Sequence, residues 1–383
     1  MLTEIYDMII GGMGGGRLCI DLGAVVANYK LVAERVAPAE VGAVVKANAY
    51  GLGADEVAQA LCRAGCRLFF VADLGEALAL RSELPSGFRL VVLNGLPPGA
   101  EGMGIQRGVT PALNSPEQAH RWADAARKAG ERLPAVLQLD SGMGRLGLAT
   151  EDLASLAADA QFHSAIDLVM VMSHLACAET TEHPANAAQL ACFEAAAAMF
   201  SGVPRSLANS GGAFLPADFH GDVVRAGIAL YGGAPNRSDS NPMQPVVGLD
   251  ARVIQIRTIE AGGPVGYGHS HYCARESRIA TIGVGYADGL PRSLGNRGAA
   301  WLAGERLPIV GRVSMDSITI DVTALPYGRI EAGDWVKLIG PHQSLDTLAN
   351  DAGTISYEIL TSLGARYDRS YVNEATGVRG EAA

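Results

Sequence analysis

The chain has 383 residues, which is more than one compact core usually holds, so two domains are expected. Hydrophobic residues make up 49% of the sequence and charged residues 18%, a balance typical of a folded globular protein rather than a disordered one. The net charge is −10 at pH 7, and Lys and Arg are scattered along the chain. Nucleic acids and acidic membrane surfaces attract clustered positive charge, so the sequence argues against both as partners.

Residues 1–16 are expected to form a flexible N-terminal extension. Their glycine-rich part, residues 11–16, lacks the preceding strand and the following Lys-Ser/Thr pair of a phosphate-binding loop. No apolar run approaches the roughly 18 residues that would suggest a membrane span, and the short run at Ile9 lacks the basic start of a secretory signal. The six cysteines are thinly spread, so free thiols in a reducing cytoplasm are expected.

Short apolar runs alternate with helix-like segments from residue 19 to residue 233, a pattern typical of parallel strands buried on both faces. Ser115, Pro116 and Gln118 carry the N-cap, first-turn and capping-box signals of one such helix. Repeated strand–helix units predict a closed (β/α)8 barrel or an open doubly wound sheet. Nine runs are present, one more than a barrel needs, so the first is expected to pair with the second domain. The runs are 19–22, 43–47, 68–72, 90–93, 109–113, 135–139, 168–172, 206–208 and 223–230.

The pattern changes near residue 245. Beyond it, short β-rich segments are separated by Gly, Pro and Asp turns, and a helical pattern returns only at about 344–352. This predicts a barrel domain over residues 17–244 and a mostly antiparallel β domain over residues 245–383. The polar tail after Asn373 is expected to fray. The predicted β segments are 252–259, 279–284, 309–313, 318–322 and 335–339.

Lys46 lies near the end of the second predicted strand. Burying an ammonium group is costly unless it is paired or neutralised, and the C-terminal ends of barrel strands point into the active site. A desolvated lysine has the depressed pKa that a Schiff-base enzyme needs. From position alone, a lysine whose ammonium group reaches solvent is an equal alternative.

Four more polar groups follow predicted strands. Arg145 projects from a glycine-containing loop and suits a carboxylate or another anion, and His174 ends the next strand. Asn209 and Ser210 precede two glycines, and Arg225 lies in the last run, where barrels often bind phosphate. Each group alone fits an ordinary surface or core role. Their repeated position at strand ends indicates one active site.

Two side-chain pairs are weak candidates for a metal site. Cys62 and Cys66 are four residues apart on a predicted helix, and His269 and His271 alternate in a way that could place both on one face of a strand. Neither pair has a further ligand nearby in the sequence, so no metal is expected.

Seven segments of the chain occur in the order of a known family. They are Val45-Lys46-Ala47-Asn48-Ala49-Tyr50-Gly51-Leu52-Gly53, Asp140-Ser141-Gly142-Met143-Gly144-Arg145-Leu146-Gly147, Ala208-Asn209-Ser210, Arg225-Ala226-Gly227-Ile228, Gly285-Tyr286-Ala287-Asp288-Gly289, Ser314-Met315-Asp316 and Ile355-Ser356-Tyr357-Glu358. With them the chain resembles the bacterial alanine racemases, which are fold-type III pyridoxal-phosphate enzymes, over nearly its whole length. No single segment is specific, but the ordered set is.

The resemblance implies a (β/α)8 TIM barrel followed by a mostly β C-terminal domain, and an isomerase that interconverts L-alanine and D-alanine with pyridoxal 5'-phosphate. It implies a homodimer with shared active sites. The implied cofactor-binding residues are Lys46, Tyr50, Arg145, His174, Asn209, Ser210, Arg225, Gly227, Ile228 and Tyr357. Arg145 and Met315 are implied to contact the substrate, and Tyr286, Asp316 and Gln138 to support the site.

The resemblance also implies a two-base reaction. Lys46, which carries the cofactor, would move the proton on the D-alanine side of Cα, and Tyr267 from the other subunit would move it on the L-alanine side. Arg145 would favour the phenolate form of that tyrosine. Arg225 would contact the pyridine nitrogen, to which a guanidinium cannot give its proton. The product would supply D-alanine for peptidoglycan synthesis, or the reaction would serve alanine catabolism.

Two positions depart from the family pattern. Many members have a carbamylated lysine where this chain has Gln138, so no carbamate can form, and Gln138 or an anion would support Arg145 instead. Some members have a histidine where this chain has Ser206, which changes the expected support of Arg225.

Two other classes of protein compete with the racemase interpretation. Decarboxylases of the same architecture usually place an acidic residue at the pyridine nitrogen and a nucleophilic cysteine in the β domain, whereas this chain has Arg225. Non-catalytic pyridoxal-phosphate carriers are a barrel alone, which leaves residues 245–383 without a purpose. The order of the motifs favours the racemase.

Overall fold

The computed structural model describes residues 14–83, 87–237 and 240–373. The chain forms two compact units. Of the described residues, the barrel unit contains those within Val25–Leu230 and Ala234–Met243, and the β unit contains those before Val25, Tyr231–Gly233 and those from Gln244 onward. Residues 1–13 of the expected extension and the tail after Asn373 lie outside the described residues.

The first strand, β1 (Gly16–Asp21), belongs to the β unit, where it pairs with two other strands of that unit. The expectation that the first apolar run lies outside the barrel is therefore confirmed. Gly16 itself begins the strand, and the carbonyl of Gly15 accepts the N–H of Arg252 at 2.8 Å.

The barrel unit is built on eight parallel strands. The strands are β2 (Glu40–Val44), β3 (Leu68–Val71), β4 (Arg89–Val92), β5 (Thr110–Leu113), β6 (Leu133–Gln138), β7 (Ile166–Met172), β8 (Arg205–Ser206) and β9 (Val223–Ala226). Their order is β8-β7-β6-β5-β4-β3-β2-β9. The N–H groups of Asp222 and Arg225 donate to the carbonyls of Arg205 and Ala208 at 2.8 and 3.0 Å, which links β9 to β8. The sheet is thus a nearly closed barrel, and the closed alternative is confirmed over the open sheet.

Helices and turns alternate with these strands. They are Leu22–Val36, Ala54–Arg63, Leu74–Glu83, Glu101–Arg107, Pro116–Ala129, Thr150–Ala158, Ala160–Ala165 and Pro184–Ala197. The helix Pro116–Ala129 buries Ala119, Trp122, Ala123 and Ala126, the spacing of one helical face. Ser115 caps this helix by accepting the N–H of Gln118, as its sequence predicts. The Gln118 amide oxygen accepts the N–H of Asn114 at 2.8 Å, one residue before the cap.

The β unit contains the remaining strands. They are β10 (Val247–Ile259), β11 (Pro264–Val265), β12 (His271–Tyr272), β13 (Ser277–Ile282), β14 (Ala299–Leu302), β15 (Glu305–Pro308), β16 (Ile318–Asp321), β17 (Trp335–Ile339) and β18 (Asp368–Val372). The main sheet has the order β15-β14-β17-β10-β1-β18, and β13 pairs with β10 and β16. The pair β1–β18 is parallel, and the others described are antiparallel. Two helices, Leu345–Ala352 and Ser356–Ser362, precede β18.

The 13-residue strand β10 joins two parts of this sheet. Its first half pairs with β1 and β17, and its second half pairs with β13 after a register shift between Val253 and Gln255. Such a shift bends a strand and increases its twist, so the single strand β10 can pair with β1 and β17 at one end and with β13 at the other.

Two predictions about the β unit are wrong. The expected strand at 309–313 is a loop in which only Ile309 forms an isolated bridge, to Ile320, because Gly311 with φ of 78° turns the chain away. The hairpin β14–β15 occupies the preceding residues and was not expected. His269 and His271 also do not share a strand, since His269 lies in the short 3₁₀ turn Tyr267–His269 and β12 starts at His271.

Within the described ranges, no helix combines the length and the apolar character that crossing a bilayer requires.

Candidate active site

Lys46 begins a short left-handed turn, Lys46–Tyr50, which is separated from the end of β2 by Val45. The four residues Ala47, Asn48, Ala49 and Tyr50 all have φ between 52° and 57°. A left-handed conformation costs about 1–2 kcal/mol for each residue with a side chain, so the turn is held by its surroundings rather than by its own preference. It projects Lys46 from the C-terminal end of a barrel strand, as the sequence predicts.

Glu76 ties this turn to the neighbouring strand. One carboxylate oxygen accepts the N–H of Ala47 and the other accepts the N–H of Ala72, both at 2.7 Å. Asn48 adds a second tie, because its side-chain oxygen accepts the N–H of Ala54 at 2.8 Å. Glu76 was not singled out from the sequence, and a glutamate in the first turn of a helix gives no signal for this role.

The charge state of Lys46 is shifted towards the free amine. Burial lowers its pKa, the guanidinium groups of Arg145 and Arg225 lower it further, and Glu76 opposes them. The lysine thus has the desolvated, cation-rich setting that activates an amine as a nucleophile or base.

Arg225 is buried at the end of β9 and is held by carbonyl groups. Its Nη1 donates to the carbonyl and the hydroxyl of Ser206 at 2.9 and 2.6 Å, and its Nη2 donates to the carbonyl of Leu207 at 3.4 Å and to Nδ1 of His174 at 3.2 Å. Burial lowers its pKa to about 10, which still leaves it charged at neutral pH. Ser206 therefore supports Arg225 directly, at the position where some family members have histidine.

The Nε atom of Arg225 takes no part in the hydrogen bonds found among the described residues. The ion pairs of that part of the chain do not include Arg225 either. One N–H of a buried cation is thus left for an acceptor that the described residues do not supply.

His174 is neutral in this setting. Burial lowers its pKa to about 3, and the neighbouring cations Arg225, Arg145 and Lys46 act in the same direction. Because Arg225 can only donate, Nδ1 of His174 accepts and the proton of the neutral ring lies on Nε2. The Asn209 amide nitrogen lies 3.4 Å from that Nε2 and donates to the carbonyl of Leu175 at 3.1 Å.

A small polar cradle lies where β9 ends. The hydroxyl of Ser210 accepts the N–H groups of Gly227 and Ala229 at 2.8 and 3.3 Å. A methyl group added at Gly227 would lie 2.3 Å from the hydroxyl of Tyr50, so only glycine leaves this space open. The 3₁₀ turn Ile228–Tyr231 follows. Hydroxyl and backbone N–H groups that converge in this way suit a phosphate group.

The loop after β6 carries Arg145, which is exposed. Asp140 organises the loop by accepting the N–H groups of Gly142, Met143 and Gly144 at 2.9 to 3.1 Å. Burial acts to raise the pKa of Asp140, but these N–H groups hold it below its usual value. The amide of Gln138 donates to the carbonyl of Leu146 at 3.4 Å, so the observed support reaches the backbone next to Arg145.

Gln189 is a second residue that the sequence did not indicate. It donates to the carbonyl of His174 at 2.9 Å and to the hydroxyl of Ser141 at 3.3 Å, and it accepts the N–H of Ala176 at 2.9 Å. It lies on the helix Pro184–Ala197 and therefore fixes the strand end that carries His174.

The β unit contains the other expected site residues. Tyr267 is 69% exposed in its 3₁₀ turn, and Met315 is 53% exposed. The N–H groups of Tyr286 and Ala287 donate to the carbonyls of Ser314 and Met315, both at 3.0 Å, which joins two loops. Tyr357 lies in the helix Ser356–Ser362.

Arg366 braces the same loops. It donates from Nε and Nη2 to the buried carboxylate of Asp288 at 2.7 and 2.9 Å, and from Nη1 to Asp316 at 2.6 Å. Asp316 is thus a supporting residue for the loop that presents Met315.

The barrel residues fit pyridoxal phosphate. The Ser210 cradle suits its phosphate, the unused Nε–H of Arg225 suits its pyridine nitrogen, and Lys46 has an amine that would suit its aldehyde. Among the residues described, no group of three or more His, Cys, Asp or Glu side chains could hold a metal ion.

Comparisons with known proteins agree over nearly the full chain. The family model for the alanine racemase N-terminal domain matches residues 20–235, and that for the alanine racemase C-terminal domain matches residues 246–371. A protein of Agrobacterium fabrum named catabolic alanine racemase is 55% identical over 372 residues, covering 97% of this chain and 96% of that protein. An alanine racemase of Brucella ovis is 50% identical over 371 residues, covering 94% of each chain.

Solved structures are similar as well. The alanine racemase of Bartonella henselae, which has covalently bound pyridoxal phosphate, has a TM-score of 0.90 and 47% identity, covering 94% of this chain and 99% of that one. The biosynthetic alanine racemase of Pseudomonas aeruginosa has a TM-score of 0.86 and 35% identity, covering 94% and 100%.

Proposed function

The chain belongs to the alanine racemase family, and on that premise we propose that it interconverts L-alanine and D-alanine by proton transfer on both faces of Cα. The observation that carries the proposal is the pairing of a desolvated Lys46 with a buried Arg225 that has no carboxylate partner among the described residues. Lys46 would act as a base, and Arg225 would stay charged at the ring nitrogen without protonating it. This combination differs from a site in which an acidic residue protonates that nitrogen.

Pyridoxal phosphate is the cofactor, and when bound it draws electrons from Cα so that the Cα–H bond can ionise. In the proposed arrangement, Lys46 is its covalent attachment point. Arg225 donates its Nε–H to the pyridine nitrogen, and His174 accepts from Arg225 and packs beside it. Four of the proposed phosphate-binding residues, Asn209, Ser210, Gly227 and Ile228, follow or end the last barrel strands. The other two are Tyr50, from the turn after β2, and Tyr357, from the helix Ser356–Ser362.

Two groups exchange protons with Cα in this proposal. The free amine of Lys46 serves the D-alanine face, and the phenol of Tyr267 from the partner subunit serves the L-alanine face. A tyrosine ionises near pH 10 in water, so it needs a cation close by, and Arg145 takes that role. Met315 and Arg145 border the substrate, and Tyr286, Asp316 and Gln138 support them.

The proposal includes a homodimer, since Tyr267 is assigned to the neighbouring chain's site. It is consistent with the strong exposure of Tyr267 and Met315 in the single chain, because large apolar side chains that face solvent often mark an interface. The six free cysteines are consistent with a reducing, cytoplasmic compartment.

Incubating the pure protein with L-alanine in D2O tests the reaction. We expect loss of optical rotation and uptake of one deuterium at Cα. Release of CO2 from a panel of basic amino acids would indicate a decarboxylase instead, and neither change would indicate a carrier protein. Borohydride reduction followed by peptide mass spectrometry locates the attached cofactor, which we expect on Lys46.

The physiological direction is a separate proposal. Relatives from Agrobacterium, Rhizobium and Mesorhizobium at 50–55% identity are named catabolic alanine racemases, which favours a role in alanine catabolism over peptidoglycan supply. Disrupting the gene in its host separates the roles. A catabolic enzyme is needed for growth on alanine as carbon source, whereas a requirement for added D-alanine would indicate peptidoglycan supply.

A further inference from the structure

We propose that Glu76 is a positioning residue that clamps the left-handed turn after β2 and thereby fixes the place of Lys46. The inference rests on the proposed function only in giving Lys46 the role of cofactor attachment. The clamp itself follows from the geometry of the turn.

The clamp is a two-point contact. Both carboxylate oxygens of Glu76 are used, each at 2.7 Å, one by the N–H of Ala47 and one by the N–H of Ala72. Ala47 directly follows Lys46, and Ala72 directly follows β3, the strand that pairs with β2. Hydrogen bonds to an ionised acceptor are shorter and stronger than neutral ones. Glu76 therefore joins the start of the turn to the adjacent strand end.

The turn needs such a clamp because its residues are not suited to their conformation. Four consecutive residues with side chains adopt positive φ, where glycine would be the default. The backbone bonds from Ala49 to Val45 and from Gly51 to Ala47 close the turn on itself. The N–H of Val45 donates to the carbonyl of Phe70 in β3 at 2.9 Å, but Val45 precedes the left-handed residues. Glu76 adds a link at Ala47, within the left-handed residues, and a loosened turn would move the lysine that it carries.

Glu76 also supplies the negative charge in a cationic surrounding. The charged or titratable groups facing Lys46 are Arg145 from the loop after β6, His174 from the end of β7, Arg225 from β9 and Glu76. The two arginines favour the free amine, and Glu76 favours the ammonium form. Removing the carboxylate should thus lower the pKa of Lys46 as well as loosen the turn.

The test compares Glu76→Gln and Glu76→Ala with Asp159→Asn as a matched control. Asp159 also accepts two backbone N–H groups, those of Gln161 and Phe162 at 2.8 and 3.2 Å, but it caps the helix Ala160–Ala165. Gln keeps one acceptor and turns its NH2 towards the other N–H, whereas Ala keeps none. Amide hydrogen exchange of the full-length, cofactor-bound protein is followed at Ala47 and Ala72.

We expect exchange to accelerate about 10- to 100-fold at one of the two amides in Glu76→Gln and at both in Glu76→Ala, the range for losing a bond to a charged group. In full-length protein freed of cofactor, the pH midpoint for carbamoylation of Lys46 by cyanate should fall in both variants. Asp159→Asn should change neither readout.

Unchanged exchange at Ala47 together with an unchanged Lys46 midpoint would overturn the proposal. Equal changes in Asp159→Asn would overturn it as well, because they would reflect general loosening. Both readouts are taken without turnover, so a failure of the racemase assay or of cofactor trapping at Lys46 counts against the proposed function and not against the clamp.

Discussion

Arg225 is a buried cation that forms no ion pair with the described residues. Its Nη atoms donate to the carbonyls of Ser173, Ser206 and Leu207, to the hydroxyl of Ser206 and to Nδ1 of His174. Dipoles that point their negative ends at a cation replace part of its lost hydration. A carboxylic acid at the position of Arg225 could exchange a proton with the pyridine nitrogen of the cofactor, whereas the guanidinium of Arg225 cannot give its proton away. The lack of a carboxylate among the observed contacts of Arg225 therefore supports the proposed racemase function.

The neutral His174 makes the fold sensitive to acid. Its pKa is about 3 in the folded protein, against an ordinary value near 6.5 in the unfolded chain, so the unfolded state takes up the proton first. Stability should therefore fall as pH drops from 6.5 towards 3. In His174→Asn, the new side-chain oxygen can still accept a hydrogen bond from Arg225. Between pH 6.5 and pH 4, the unfolding free energy of this variant should fall by about 2–3 kcal/mol less than that of the parent protein.

Denaturant unfolding at pH 7, 5.5 and 4 measures this difference. The exposed His120, on the helix Pro116–Ala129, gives a matched control, and His120→Asn should have the same pH dependence as the parent. A parent and a His174→Asn variant that lose stability in parallel would show that His174 does not carry the effect.

At the scale of elements, the end of β9 and the left-handed turn after β2 depend on each other through one glycine. A Cβ at Gly227 would lie 2.3 Å from the Tyr50 hydroxyl and 3.2 Å from its Cζ. Gly227→Ala should cost about 1–3 kcal/mol and weaken retention of the cofactor, because overpacking displaces one of the two cradle elements.

Thermal unfolding and release of pyridoxal phosphate during dialysis measure the two effects. Adding Tyr50→Phe removes the nearest atom and should recover part of the stability. The control Gly102→Ala meets nothing within 4 Å on the helix Glu101–Arg107, and helix propensity favours it by up to about 1 kcal/mol. A Gly227→Ala protein that is as stable as this control would contradict the contact.

The helices and strands differ in how well their own residues predict them. Fully apolar segments such as Leu68–Val71 are buried on both faces and were located to within a residue or two. The hairpin β14–β15 was missed because Glu305, Arg306 and Pro308 are exposed and interrupt the apolar pattern. The left-handed turn could not be predicted either, since Ala47, Ala49 and Tyr50 have no preference for positive φ and only tertiary contacts impose it.

The sequence predicts the candidate site residues that follow strands. It does not predict the contacts that support those residues. Lys46 and His174 stand out because a polar side chain ends an apolar run. Glu76 and Gln189 lie within helices, where polar residues are ordinary, so their bonds to the backbone at Ala47 and at His174 become visible only once the barrel is assembled. Sequence patterns report burial and periodicity, whereas such contacts depend on distance in space.

At the scale of the whole molecule, the first and the last strand described belong to the same unit. The strand β1 pairs with β10 and with β18, the last strand described, while the barrel lies between β1 and β10 in the sequence. An excess apolar run before a barrel is therefore a sequence signal for a strand that belongs elsewhere. The proposed site also draws on both units, because Lys46 belongs to the barrel unit and Tyr267 belongs to the β unit. The proposal assigns these two residues to different subunits.

That assignment predicts complementation between two inactive variants. Lys46→Ala and Tyr267→Phe should each lose about 10²-fold or more of racemase activity, since each removes one acid–base group. A mixed dimer has one site with both residues intact and one site with neither. Random pairing makes about half of the dimers mixed, so co-expression of the two variants should restore about a quarter of the parental activity.

Differently tagged subunits allow the mixed dimer to be isolated, and its activity should approach half of the parental value, with each variant homodimer as the control. Recovery requires Lys46 and Tyr267 to act across the boundary, because residues that act within one subunit leave every site with a defect. A mixed dimer of confirmed composition that stays as inactive as its parents would contradict the shared site, and an active dilute monomer would contradict the dimer itself.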